Sequence, residues 1–196
     1  MNLVNNSCIG SYITQKISQD GFHNPFQWCQ IDFDSMYYMI KNWSSINWFN
    51  YELVKDKNWN FSILIDGHIK VNYIHYKFDK NAKVLIRKGT EVFYCKIWEY
   101  IIEKYETRIK RMLELNEEPI FILANIHNYE INHYSIEEQN KIIELNKYKT
   151  IIAFSKNTKM TSEKSEVINF DKQYKINGAE PGEFILKQSK LLRHSK

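Results

Sequence analysis

The chain has 196 residues, 43% apolar and 26% charged, which is enough for one substantial hydrophobic core and too little for two well-covered ones. Its net charge of +4 comes from lysines scattered along the chain. The absence of a basic stripe, an aromatic RNA-binding signature or metal-finger spacing argues against a dedicated nucleic-acid binder, and no nucleic-acid partner is expected.

Met1 to Ser7 reads as a short strand ending in a polar turn. A helix follows from about Ile9 to Gln19, where Ile9, Ile13 and Ile17 recur every four residues and Asp20-Gly21 gives a stop. "FHNPFQW" is a loop, because Asn24-Pro25 disfavours helix on both sides. Asp32 or Asp34 can cap a helix running through Met36, Met39 and Ile40 to about Trp43. "NFSILID" and "HIKVNYIHYKF" alternate in polarity around Asp66-Gly67 and predict a tight hairpin, to which "KVLIRK" adds a third strand.

An amphipathic helix is predicted from about Glu91 to Asn116, with Val92, Ile97, Ile101, Ile109 and Met112 inward. "PIFILAN" is a buried strand, followed by the polar and aromatic loop "IHNYEINHY". Ser135 and Glu138 form a capping box for a helix to about Asn146. "TIIAFSK" and "EVINF" are further strands, and "EFILKQSKLL" is a C-terminal helix. Buried strands alternating with helices predict a single α/β domain over 1–196, with three layers. Its central sheet is mostly parallel, and an antiparallel hairpin interrupts the middle of the chain. No internal repeat is visible.

Three cysteines, Cys8, Cys29 and Cys95, are too few for a disulfide framework and point to a reducing compartment. No apolar run is long enough to span a membrane, and "MNLVNNSC" lacks the regions of a signal peptide. A cytoplasmic protein without a transmembrane segment is therefore expected. The aromatic share of 15% suits a sugar pocket, and fits the codon usage of an AT-rich genome equally well.

Sites in α/β sheets gather at the carboxyl ends of strands, which singles out "NNSCIGS". Cys8 falls between a strand and a helix, where unpaired N–H groups and the helix dipole favour the reactive thiolate. Ser7 and Ser11 flank it, the N–H groups of Ile9 and Gly10 suit an oxyanion hole, and Gly10 would let a substrate approach closely. A partly buried structural thiol is the alternative. A thiol nucleophile needs a base, and the candidates are His75 in "NYIHYKF" with His127 and His133 in the loop after "PIFILAN". His127 and His133 are six apart and no HExxH or CxxC occurs, so no metal site is expected. Arg108 and Arg111 share a helix face and suit an anion such as a phosphate or carboxylate, or else pair with Glu103, Glu106 and Glu114. No P-loop, GxGxxG, GxSxG or kinase signature occurs, and no cofactor is expected.

Several stretches, taken in order, resemble a bacterial group known both as papain-like cysteine peptidases and as exopolysaccharide-biosynthesis proteins. They are "NNSCIGSYI", "NPFQWCQIDFDSMYYMIKN", "YIHYKF", "WEYIIEKYETRIKRML", "PIFILA" and "SIEEQNKIIELNKYKTIIAFS". The likeness covers about 5–155, leaving 156–196, with the final strand and helix, outside it. It implies roles for Cys8, Pro25, Phe26, Trp28, His75, Arg108 and Arg111. The peptidase branch tends to carry Pro-Phe-Asp-Trp, whereas Gln27 stands here in the acid's place. Gln27 can orient a histidine by hydrogen bonding but cannot stabilise an imidazolium by charge. The implied setting is surface-polysaccharide synthesis, with a small-molecule or glycan substrate that could be anionic.

Three functions follow as expectations. The first is acyl-type group transfer or hydrolysis through Cys8, with His75 as base or His127 or His133 in its stead. Ser7, Gly10, Ser11, Gln27, Trp28, Arg108 and Arg111 would then contact the substrate. The second is a non-catalytic sugar- or phosphate-binding accessory protein using the same pocket. The third, a glycosyltransferase-like enzyme, would use Asp32 and Asp34 of "IDFDS", which have the spacing of a metal-binding pair but also fit a helix start.

Overall fold

The computed structural model describes residues 2–17, 24–27, 29–55, 61–73, 77–79, 84–87, 90–93, 97–124, 126–127, 130–131, 134–153, 164–168 and 179–193, a few of them, including Cys8 and His127, by backbone alone. The elements begin with β1 (Leu3–Asn5), α1 (Cys8–Ile17), β2 (Gln30–Ile31), α2 (Phe33–Asn42), β3 (Tyr51–Lys55), β4 (Phe61–Ile65) and β5 (Ile69–Asn72). Next come β6 (Lys77–Asp79), β7 (Val84–Arg87), β8 (Thr90–Phe93), α3 (Ile97–Glu114), β9 (Ile120–Ala124), β10 (Ile126–His127) and β11 (Glu130–Ile131). The chain continues through α4 (Ile136–Glu144), β12 (Thr150–Ala153), β13 (Ser165–Ile168), α5 (Ala179–Gln188) and α6 (Lys190–Arg193).

Four of the buried runs make one parallel sheet in the order β1-β9-β12-β13. Successive side chains of a strand point to opposite faces, and here both faces are apolar. Leu3, Ile120, Ile122, Ala124, Ile151, Ala153 and Ile168 form one cluster with Ile13 of α1, Ile185 of α5 and Leu192 of α6. Val4, Phe121, Leu123 and Ile152 belong to the other cluster, with Met36, Met39 and Ile40 of α2 and Ile101, Tyr105, Ile109 and Met112 of α3. The parallel sheet is thus the middle of three layers, as near-continuous apolar strands require.

The antiparallel part is larger than one hairpin. β4 and β5 pair around Asp66 and Gly67, whose φ angles of 52° and 69° are the two left-handed residues of a type I′ turn. β3 and β2 extend the pair into a four-stranded sheet in the order β2-β5-β4-β3. Its apolar side, with Ile63, Ile65, Ile69 and Val71, joins the core of α2 and α3. "KVLIRK" supplies β7, in a separate three-stranded sheet with β6 and β8.

Both predicted helix starts are made. Asp32 accepts the Ser35 N–H at 2.7 Å, and Ser135 and Glu138 close a full capping box. The third helix begins at Ile97 instead of Glu91. Thr90 to Phe93 pair with β7 as β8, a stretch whose β-branched and aromatic residues favour a pleated surface. "EFILKQSKLL" is two helices. The Glu166 carboxylate of β13 accepts from the Ser189 hydroxyl (2.6 Å) and the N–H groups of Lys190 (2.7 Å) and Leu191 (2.9 Å), which starts a new helix there. Among the described residues no helix is long and apolar enough to cross a membrane.

An aromatic series connects the "NPFQ" turn to the central sheet. Phe26 packs on Trp48 (6.0 Å between centroids), Trp48 on Trp43 (4.8 Å) and Trp43 on Phe121 of β9 (5.4 Å). The buried Tyr105 hydroxyl donates to the Trp48 carbonyl at 2.7 Å. Burial, more than the neighbouring Tyr51 and Glu106, pushes its phenol well above the usual value, so it stays a neutral donor. Tyr105→Phe should leave that carbonyl unpaired and cost about 1–2 kcal/mol. The check is a lowered urea midpoint at unchanged m-value, and an unchanged midpoint would contradict it.

Candidate functional site

The carboxyl ends of β1 and β9 meet at Asn6. All four polar groups of its backbone and side chain are used. Its N–H donates to the Ile122 carbonyl (3.3 Å) and its carbonyl accepts the Ile31 N–H (3.1 Å). Its side-chain Oδ1 accepts the Ala124 N–H (2.9 Å) while Nδ2 donates to the Ala124 carbonyl (3.2 Å). A residue 8% exposed therefore fastens the end of β1 to β9 and to β2.

α1 starts two residues later, with Cys8 as its first residue. The first-turn N–H groups of a helix have no intrahelical acceptor and carry the positive end of its dipole. The Cys8 backbone is thus at a strand–helix junction, as its sequence context predicts, while its thiol is outside the described atoms. Asn5 folds under the same turn, its Nδ2 donating to the Ser7 carbonyl at 2.8 Å. The Asn5 Oδ1 and the Ser7 hydroxyl are both buried without a hydrogen-bond partner among the described residues. Such groups ordinarily find a ligand or an ordered water.

Gly10 has a structural reason. A Cβ there would collide with the Cβ of Asn5 and stand 2.5 Å from its Cγ. The close approach at Gly10 is therefore that of Asn5, and the space expected for a substrate is filled from within the chain. Ser11 is wholly buried, so it is on the covered side of α1 and does not line a surface. Its neighbour Thr14 returns a hydrogen bond to the Gly10 carbonyl at 2.9 Å.

The histidines divide by position. His127 ends β10, three residues beyond Ala124, and its register partner is Glu130 in β11. The Asn6–Ala124 pairing therefore leads both the Cys8 backbone and the His127 backbone out from one edge of the sheet. The loop read at "IHNYEINHY" contains this short β10–β11 pair. His75 and His133 lie outside the described residues, as does Trp28.

Asn24 holds the "NPFQ" turn against β1. Its amide donates to the outward carbonyl of Leu3, and its Oδ1 accepts the Phe26 N–H at 2.9 Å. Its own carbonyl accepts the Gln27 N–H at 3.2 Å. This covers the free edge of β1, which would otherwise expose unpaired backbone groups. Gln27 is buried at 2% exposure. Arg108, half-buried on α3, reaches the Asn24 carbonyl at 3.5 Å, whereas Arg111 is exposed. The two arginines thus face different surroundings, and only Arg108 touches the turn next to β1.

Asp32 caps α2 and Asp34 is paired with Lys141 at 2.8 Å, so both carboxylates of "IDFDS" have partners within the chain. Among the described residues no three His, Cys, Asp or Glu are grouped to hold a metal ion. Sequence reasoning missed Asn5, Asn6 and Asn24. The signal was there in three asparagines bordering a strand end and a Pro turn, residues that favour side-chain-to-backbone bonds.

Compared with family models, curated proteins and solved structures, the chain matches none. The reading of the site therefore rests on its own geometry. Gly10→Ala should force the Asn5 side chain away from α1 and cost about 1–3 kcal/mol, as overpacking does. A urea midpoint equal to that of the parent chain would contradict the packing described for Gly10.

Proposed function

We propose that the chain is an enzyme that transfers or hydrolyses an acyl-type group through Cys8. The substrate would be a glycan or small molecule of bacterial surface-polysaccharide synthesis. The observation that carries the reading is the pairing of Asn6 with Ala124, from which the backbones of Cys8 and His127 leave the same edge of the sheet. The start of the ten-residue helix α1 at Cys8 supports a thiolate there by dipole and N–H donors. The polysaccharide setting comes from the resemblance of the motifs alone.

The chemistry runs in two halves. A base removes the Cys8 proton, and His127, three residues beyond the end of β9, is the candidate with a described backbone, with His75 and His133 as the alternatives. The sulfur attacks the acyl carbonyl, a C–S bond forms, and the unpaired first-turn N–H groups of α1 receive the developing oxyanion. The bond to the leaving group then breaks as the imidazolium returns the proton to it. In the second half a sugar hydroxyl or water, deprotonated by the same imidazole, attacks the thioester and releases the thiol. The Ser7 hydroxyl, without a partner among the described residues, suits an oxygen of the substrate. Arg108, beside the "NPFQ" turn, suits an anionic group of it.

Cys8→Ala should abolish covalent labelling of this site by a thiol-reactive acyl probe and abolish polysaccharide modification in cells. His127→Ala should lower the labelling-competent rate by about 10²–10⁴-fold, the usual contribution of general acid–base catalysis. Unchanged polysaccharide modification with Cys8→Ala would overturn the reading. Sugar or phosphate binding that tolerates Cys8→Ala, without any labelling of the parent, would favour a non-catalytic binding protein.

A further inference from the structure

We infer that Asn6 is a positioning residue that ends β1 by substituting its side chain for two rungs of the ladder, and so delivers the Cys8 N–H to the start of α1; the role rests on Cys8 being the nucleophile. The register fixes the argument. In the β1–β9 ladder Leu3 aligns with Ile120, Val4 with Phe121 and Asn5 with Ile122. Ile120 donates to the Asn2 carbonyl at 2.9 Å and Asn6 donates to the Ile122 carbonyl at 3.3 Å. Bonds in a parallel ladder are evenly spaced. Continued one step, the same pattern would send the Ala124 N–H to the Asn6 carbonyl and the Cys8 N–H to the Ala124 carbonyl.

The Asn6 amide occupies both places, with Oδ1 on the Ala124 N–H and Nδ2 on the Ala124 carbonyl. Its displaced carbonyl turns to the Ile31 N–H at 3.1 Å. The backbone can then leave the sheet at Asn6, and Cys8 enters α1 with its N–H in the helix's first turn and not in the ladder. That is the condition for a dipole-stabilised thiolate and for N–H donors aimed at an oxyanion. A primary amide is suited to the task because it offers one donor and one acceptor side by side. Aspartate lacks the donor when ionised, and alanine lacks both.

The test is the pH profile of Cys8 alkylation by iodoacetamide in the full chain, from about pH 5 to 10, read at the Cys8 peptide by mass spectrometry. The parent should titrate below the ordinary thiol value of about 8.5. Asn6→Ala, folded by circular dichroism, should raise the midpoint by about one pH unit. Asn6→Asp should raise it too, by losing the donor and adding a negative charge. A purely structural Asn6 would lower stability and leave the midpoint in place. A folded variant with the parent's midpoint overturns the inference alone, and so does failure of both variants to fold. An ordinary midpoint in the parent overturns the nucleophile reading and this inference with it.

Discussion

The site depends on one pair of hydrogen bonds, between the Asn6 amide and the backbone of Ala124. Each bond alone would be worth about 1 kcal/mol net. Their effect is larger in geometry than in energy, because they decide where β1 stops. Upstream of them the chain is an ordinary parallel strand. Downstream of them it turns beneath Asn5 and becomes α1 with Cys8 at its first position. The turn fits only because Gly10 has no side chain to meet Asn5.

The rest of the molecule holds that pair in place. The parallel sheet is buried between two apolar clusters, so β1 and β9 have little freedom to shift in register. Asn24 covers the outer edge of β1 through Leu3, and the aromatic series from Phe26 to Phe121 anchors the turn that carries Asn24. The antiparallel sheet contributes through β2, whose Ile31 N–H donates to the Asn6 carbonyl at 3.1 Å. Polar precision at the strand end is thus supported by apolar packing on both sides of it.

What the sequence made legible follows from the range of the interactions. The Ser135–Glu138 capping box, the Asp66-Gly67 turn and the buried strands are set by neighbours within a few residues, and pattern reading located each. Val92 misled because it fits a helical spacing with Ile97 and Ile101, while the pairing of β8 with β7 that overrides the spacing is tertiary. The strand–helix junction at Cys8 is legible from local context alone. Asn6 and Asn24 were not, since their partners are Ala124 and Leu3, and nothing local says which carbonyl an asparagine will meet. Gly10 was noticed for the wrong neighbour, as its space belongs to Asn5.

The proposal most exposed to measurement is that His127 lies close enough to Cys8 to act as its base. Histidine ring NMR of the full chain, titrated before and after Cys8 is blocked by alkylation, reads that proximity directly. A thiolate close by raises the pKa of an imidazole, so blocking Cys8 should lower the His127 midpoint. An unchanged His127 midpoint, or a shift confined to His75 or His133, would contradict the account.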